Sequence, residues 1–137
     1  MRVVCKRRLA CLIPLMIVMT ACEQYTDPTP VQRESVTFDG RLELSGSFEG
    51  NFPVKAPGLL VVTVGRLIGV DSSITAVGGL AVGTWDGTTC TLVAKNENAT
   101  FATVLSGGAI KGDYCVRLYD VGQFTEAVNY SVEVDHP

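Results

Sequence analysis

From Val36 to Val134, apolar residues recur at every second position in short runs, and glycine-bearing breaks separate the runs. Val36, Phe38, Leu42 and Leu44 alternate with polar neighbours, as do Tyr114, Val116 and Leu118, and again Tyr130, Val132 and Val134. A period of two turns one face of a strand inward, whereas a helix needs a period near 3.6. All 14 glycines fall in this part of the chain, together with many valines and threonines and only three lysines, a mixture of strand formers and turn formers. Gly46 to Val54 reads as a weaker strand, and Leu59-Leu60-Val61-Val62-Thr63-Val64 as a buried one. Ser73 to Trp85 and Thr88 to Ala94 flank Asp86-Gly87, a two-residue hairpin signal that would oppose Trp85 to Thr88 and Gly83 to Cys90. Asn96 to Asn98 reads as a turn, Thr100 to Leu105 as a short strand, and Asp120 to Glu126 as a loop. These spacings predict an all-β domain over residues 36–137. Its expected architecture is an antiparallel β-sandwich of about seven to eight strands, jelly-roll or immunoglobulin-like.

The first 21 residues are of another kind. Arg2, Lys6, Arg7 and Arg8 precede an uncharged apolar stretch from Leu9 to Ala21. It is shorter than the ~20 residues a bilayer crossing needs and contains Pro14, so it reads as the helix of an export signal rather than a membrane span. Met19-Thr20-Ala21-Cys22 resembles the lipobox of bacterial lipoproteins. The resemblance implies that residues 1–21 are removed and that Cys22 carries fatty acyl chains, palmitate among them. Residues 22–35, polar with two prolines, then form an extended tether.

Five cysteines occur: Cys5, Cys11, Cys22, Cys90 and Cys115. With two in the signal and Cys22 lipidated, Cys90 and Cys115 remain as an even pair in an oxidising compartment. Their bridge would close a loop of about 25 residues, worth on the order of 3 kcal/mol in the chain-entropy model. Trp85, expected near Cys90, would pack beside it.

Three stretches resemble the bacterial pre-peptidase C-terminal domain, a β-sandwich appended to secreted proteins. They are Gly58 to Val64, Lys111-Gly112-Asp113-Tyr114 with the strand that follows, and Tyr130 to Val134. That family often has an aspartate-rich middle strand, whereas Ala76 to Trp85 holds only small, apolar and hydroxyl side chains, so no acidic or metal-related role carries over. The resemblance implies a non-catalytic accessory or binding module outside the cytoplasm.

Composition excludes several function classes. From residue 22 onward, seven basic side chains face fourteen acidic ones, a net charge of −7 that disfavours nucleic acid. The single histidine, His136, sits at an end expected to fray, which leaves little for histidine-based catalysis. The carboxylates are scattered over strand faces and turns, and Asp71, Asp86 and Asp120 lack the spacing of a calcium loop. No cofactor and no metal site are expected. Among the aromatics, alternation puts Trp85, Tyr114 and Tyr130 in the core and leaves Tyr119 and Phe124 beside the Asp120–Glu126 loop. Tyr119, Asp120, Phe124 and Glu126 are therefore the expected contact surface.

The chain thus reads as a lipid-anchored accessory or binding module of the bacterial cell envelope, not an enzyme, contacting protein or glycan. The alternatives are a purely structural envelope lipoprotein and a secreted carbohydrate-binding module. Glu23 stands where, in enterobacteria, an aspartate retains lipoproteins at the inner membrane, so the resemblance favours the outer membrane or the periplasmic face. Mass spectrometry of detergent-extracted protein should find a mature chain beginning at a diacylated Cys22. An unmodified Cys22 would contradict the lipoprotein reading.

Overall fold

The computed structural model describes residues 29–137. The expected signal helix at 1–21, Cys22 and the first half of the tether lie outside the described residues. Eight strands follow: β1 (Glu34–Leu42), β2 (Ser47–Val54), β3 (Gly58–Gly69), β4 (Gly78–Trp85), β5 (Cys90–Ala99), β6 (Val104–Ala109), β7 (Gly112–Tyr119) and β8 (Val128–His136). They form two four-stranded sheets, β1-β8-β3-β6 and β2-β7-β4-β5. Every pairing is antiparallel. Consecutive strands repeatedly change sheet, which is the connectivity of an eight-stranded jelly roll. The expected sandwich class holds.

The core lies between the sheets. Leu60, Val62, Val64 and Leu67 of β3 and Val128, Tyr130, Val132 and Val134 of β8 face Leu80 and Val82 of β4 and Val116 and Leu118 of β7. The inward set expected for β7 and β8 is in place, with Tyr114 half-buried against the core. β3 runs well beyond Val64 because its register shifts between Val64 and Arg66. One extra residue, Gly65, moves the buried positions from even to odd numbers, so Leu67 faces inward where strict alternation would turn it out.

Elsewhere the boundaries move for identifiable reasons. β1 begins at Glu34, and Arg33 fixes its start by donating to the Asp135 carboxylate at 3.0 Å and to the Leu59 carbonyl at 3.1 Å. Leu44, expected in the strand, is exposed before the left-handed Ser45. β4 begins at Gly78 rather than Ser73, since residues 70–77 make a loop in which Ser73 has φ of 56° and donates to the Gly69 carbonyl. No turn breaks the chain at Asn96–Asn98, because β5 continues to Ala99 with two register shifts against β4. The turn comes instead at Thr100–Thr103, where the Thr103 amide donates to the Thr100 carbonyl and Ala102 is left-handed. β6 therefore starts at Val104. The C-terminus does not fray: His136 pairs with Glu34, is 3% exposed and stacks on Phe52 at 5.4 Å.

The β4–β5 hairpin also differs from expectation. Its loop has four residues, 86–89, so Trp85 opposes Cys90 and Gly83 opposes Leu92. Asp86 organises that loop, its Oδ1 accepting from the amides of Thr88 at 2.8 Å and Thr89 at 2.7 Å. Trp85 is half-buried and outside the core, because the pair it accompanies lies on the outer face of the sheet.

Cys90 and Cys115 are bonded, with Cα atoms 5.8 Å apart. β4 lies between their strands, and two strand spacings would be about 9.5 Å. The start of β5 therefore folds over the outer face of β4. It does so at Gly83, where a Cβ would collide with the backbone of Thr91 and Leu92. Gly83→Ala should lower stability by about 2 kcal/mol or more in urea unfolding, since the obstacle is backbone rather than a flexible side chain.

Candidate binding surface

The residues expected to form a contact surface are placed in different environments. Phe124 is 7% exposed and belongs to the core, so its ring is not on the surface. The chain from Asp120 to Glu126 carries few apolar side chains, and the sandwich end takes the ring in to fill its space. Tyr119 is half-buried with its ring over Gly79 on the outer face of β4.

Asp120 and Glu126 are exposed enough to titrate, but their oxygens are occupied. Asp120 Oδ2 accepts from the Ser45 amide at 2.8 Å, and Oδ1 accepts from Gly122, Gln123 and Phe124 at 2.7–3.1 Å. Partial burial alone would raise this carboxyl, but the four amides outweigh it and hold it below its ordinary range. Glu126 reaches the neighbouring loop, accepting from the Ser72 hydroxyl and from the Asp71 amide at 2.7 Å. Those bonds lower its carboxyl as well. Both groups are loop clamps. Beside them lies a depression of about 220 Å³ lined by Ser72, Ile74, Thr75, Phe124 and Glu126. Asp71, Asp86 and Asp120 are not brought together: among the described residues no three His, Cys, Asp or Glu side chains converge.

A second opening, about 200 Å³, lies between the sheets where β5 and β6 form neighbouring edges. Leu60, Val82, Val93, Ala94, Leu105 and Tyr114 line it, with the backbone of Gly83, Gly107 and Gly108. No charged side chain is in that lining. Its cause is side-chain volume. On the β1–β2 side of the sandwich, the rings of Phe38 and Tyr130 pack at a tilt against Phe48, with centroids 5.4 and 5.0 Å away, and fill the gap. On the β5–β6 side the inward positions of β6 are Leu105, Gly107 and Ala109, paired with Val62, Leu60 and Gly58.

Exposed apolar side chains occur on β5, on β6 and in the segments that flank β6. Val93 and Val104 are 74% and 54% exposed, Phe101 precedes β6 and is 61% exposed, and Ile110 follows it at 71%. Sequence reasoning missed this surface. The signal was Gly107 inside a strand, where the absent inward side chain leaves the sandwich unfilled.

No protein-family model matches the chain, so the likeness to the pre-peptidase C-terminal domain has no support there. No curated protein matches either. Among solved structures the chain is similar to PliG of Aeromonas hydrophila, described as a periplasmic lysozyme inhibitor of g-type lysozyme. The identity is 16%, the TM-score 0.48, and the match covers 73% of this chain and 83% of that one. A likeness this distant assigns neither family nor activity.

The clamps give a pH prediction. A carboxyl lowered in the folded state adds stability above its unfolded value, and that stability is lost as pH falls through the folded value. The urea midpoint should therefore hold steady from neutral pH to about 5 and fall below about 4. Glu126→Gln should make that fall shallower, as measured by fluorescence-monitored unfolding. An unchanged acid profile would show that Glu126 does not clamp the loop. Phe124→Ala should cost about 3 kcal/mol by the same measurement, as expected for a core ring and not for a surface one.

Proposed function

We propose that this chain is a lipid-anchored binding module of the bacterial cell envelope, held through Cys22, which works by contact with protein and performs no catalysis. The observation that supports this reading most is the pairing of an uncharged cleft with exposed aliphatic side chains along one side of the sandwich. Single exposed apolar residues are ordinary, but here they accompany an uncharged cleft, and that combination supports an interaction site. The carboxylates whose acidity is most clearly perturbed are occupied by partners within the molecule: Asp86 and Asp120 by loop amides, Glu126 by Ser72, Glu34 by Lys55 and Glu97 by Lys95. Their roles are structural.

Between protein and glycan, the composition of the surface favours protein. Sugar rings stack on aromatic faces. On this side Phe101 is the exposed ring, while the Tyr114 hydroxyl accepts from the Ile110 amide at 3.1 Å and its ring packs on Phe52. Val93, Val104 and Ile110 suit aliphatic protein side chains instead.

Photo-crosslinking in cells tests the reading, with a reactive residue placed in turn at Thr37, Val104 and Tyr119 of the full chain. A discrete adduct of one mass with an envelope protein at any of these positions is expected, and the Val104 position should give the strongest. No adduct at any position would contradict the binding reading. So would turnover of a substrate abolished by a single carboxylate substitution.

A further inference from the structure

We propose that β6 is an acceptor strand: an extended, uncharged segment of a partner protein adds to its free edge and sets alternate apolar side chains into the β5–β6 cleft. This inference rests on the binding-module reading and specifies the partner's chemistry.

The sandwich has four edge strands, and three are protected. β1 carries Glu34, Asp39 and Arg41; β2 carries Glu49 and Pro53; β5 carries Lys95 and Glu97 and has two register shifts. Charges, prolines and bulges are the devices that keep edges from pairing. β6, with the sequence VLSGGA, has no charge and no proline, and its pairing with β3 runs without a shift.

The phase of the ladder fixes which backbone groups are free. The Val64 amide donates to the Thr103 carbonyl at 2.9 Å and the Ala102 amide to the Val64 carbonyl at 2.8 Å. From that bonded position the antiparallel alternation points the amides and carbonyls of Leu105, Gly107 and Ala109 toward β3. Those of Val104, Ser106 and Gly108 point away from it, toward the open edge. A partner that satisfies three such positions in a row must itself be an extended strand.

A strand added there extends the sheet past the rim of the cleft, opposite β5. Its inward side chains meet Leu60, Val82, Ala94, Leu105 and Tyr114, which are uncharged, so a charged guest residue would be buried without a partner. Nothing lies within 4 Å of a Cβ built on inward-facing Gly107, which leaves room for large guest side chains. A second copy of this chain is a poor guest. Paired across a two-fold axis, its β6 would bring only Leu105, Gly107 and Ala109 inward, and each copy carries a net charge of −7 from residue 22 onward.

The test uses the full chain in detergent and a blocked peptide of about seven residues alternating Thr with Leu and Val, close to the length of β6. Amide hydrogen exchange at Ser106 and Gly108, followed by NMR, should slow about tenfold at saturating peptide. The same peptide N-methylated on alternate residues, so that the edge facing β6 has no donors, should not slow it. Gly107→Lys, which puts a charge at the cleft, should abolish the protection while leaving the unfolding midpoint close to that of the parent. Unchanged exchange with the first peptide overturns the proposal. Equal protection by the N-methylated peptide also overturns it, because adhesion would then be apolar rather than strand pairing. Protection that grows with protein concentration in the absence of peptide overturns it in favour of a second copy. A crosslinked adduct confined to Tyr119 would defeat strand addition at β6 and leave the binding-module reading standing.

Discussion

Two packed sheets leave a gap of about 10 Å, and the features of this molecule follow from how unevenly that gap is filled. On the β1–β2 side the filling is aromatic, with Phe48 packed against both Phe38 and Tyr130. Through the middle it is aliphatic, a continuous layer of Val and Leu from β3, β4, β7 and β8. On the β5–β6 side it thins to Leu105, Ala94 and glycines, and the sheets stay parted over a cleft of about 200 Å³. The same shortage of side chains that leaves the cleft leaves β6 without the charges that would guard its edge.

The disulfide works on this geometry from outside. By drawing the start of β5 across Gly83 on the outer face of β4, the Cys90–Cys115 bond fixes one end of that strand. The other end is set by Ala99, fully buried where it opposes Gly78. Between these anchors β5 is exposed apart from half-buried Asn96, and it forms one wall of the cleft. A domain of about 100 residues buries a modest core, so a covalent tie at its least filled side contributes where packing contributes least.

Much of the architecture was legible because alternation survives in β1, β2, β7 and β8, and the bridge was legible because lipidation of Cys22 would leave one pair. What was not legible arises where parity breaks. Gly65 shifts β3 by one residue, so that Leu67 belongs to the core although the run of alternation ends at Val64. The hairpin loop has four residues because Asp86 accepts from both Thr88 and Thr89, which a two-residue turn could not provide. In the loop expected to be a contact surface, the carboxylates are half-buried and bound to amides of the loops, and Phe124 turns inward. The cleft could not be read at all, since it is made by a side chain that is missing at inward-facing Gly107.

One side of the sandwich is thus underfilled while the other is full. Comparing the unfolding midpoints of Gly107→Val and Gly50→Val measures this directly. Both glycines face inward, but a Cβ at Gly107 meets nothing within 4 Å, whereas one at Gly50 lies 2.8 Å from the rings of Phe38 and Phe48. Gly107→Val is predicted to leave the midpoint unchanged or raise it, by filling the cleft with a strand-forming residue, and Gly50→Val to lower it through a loss of stability of about 2 kcal/mol or more. Equal destabilisation by the two substitutions would mean that both sides are packed alike, and the open β6 edge would lose its physical basis.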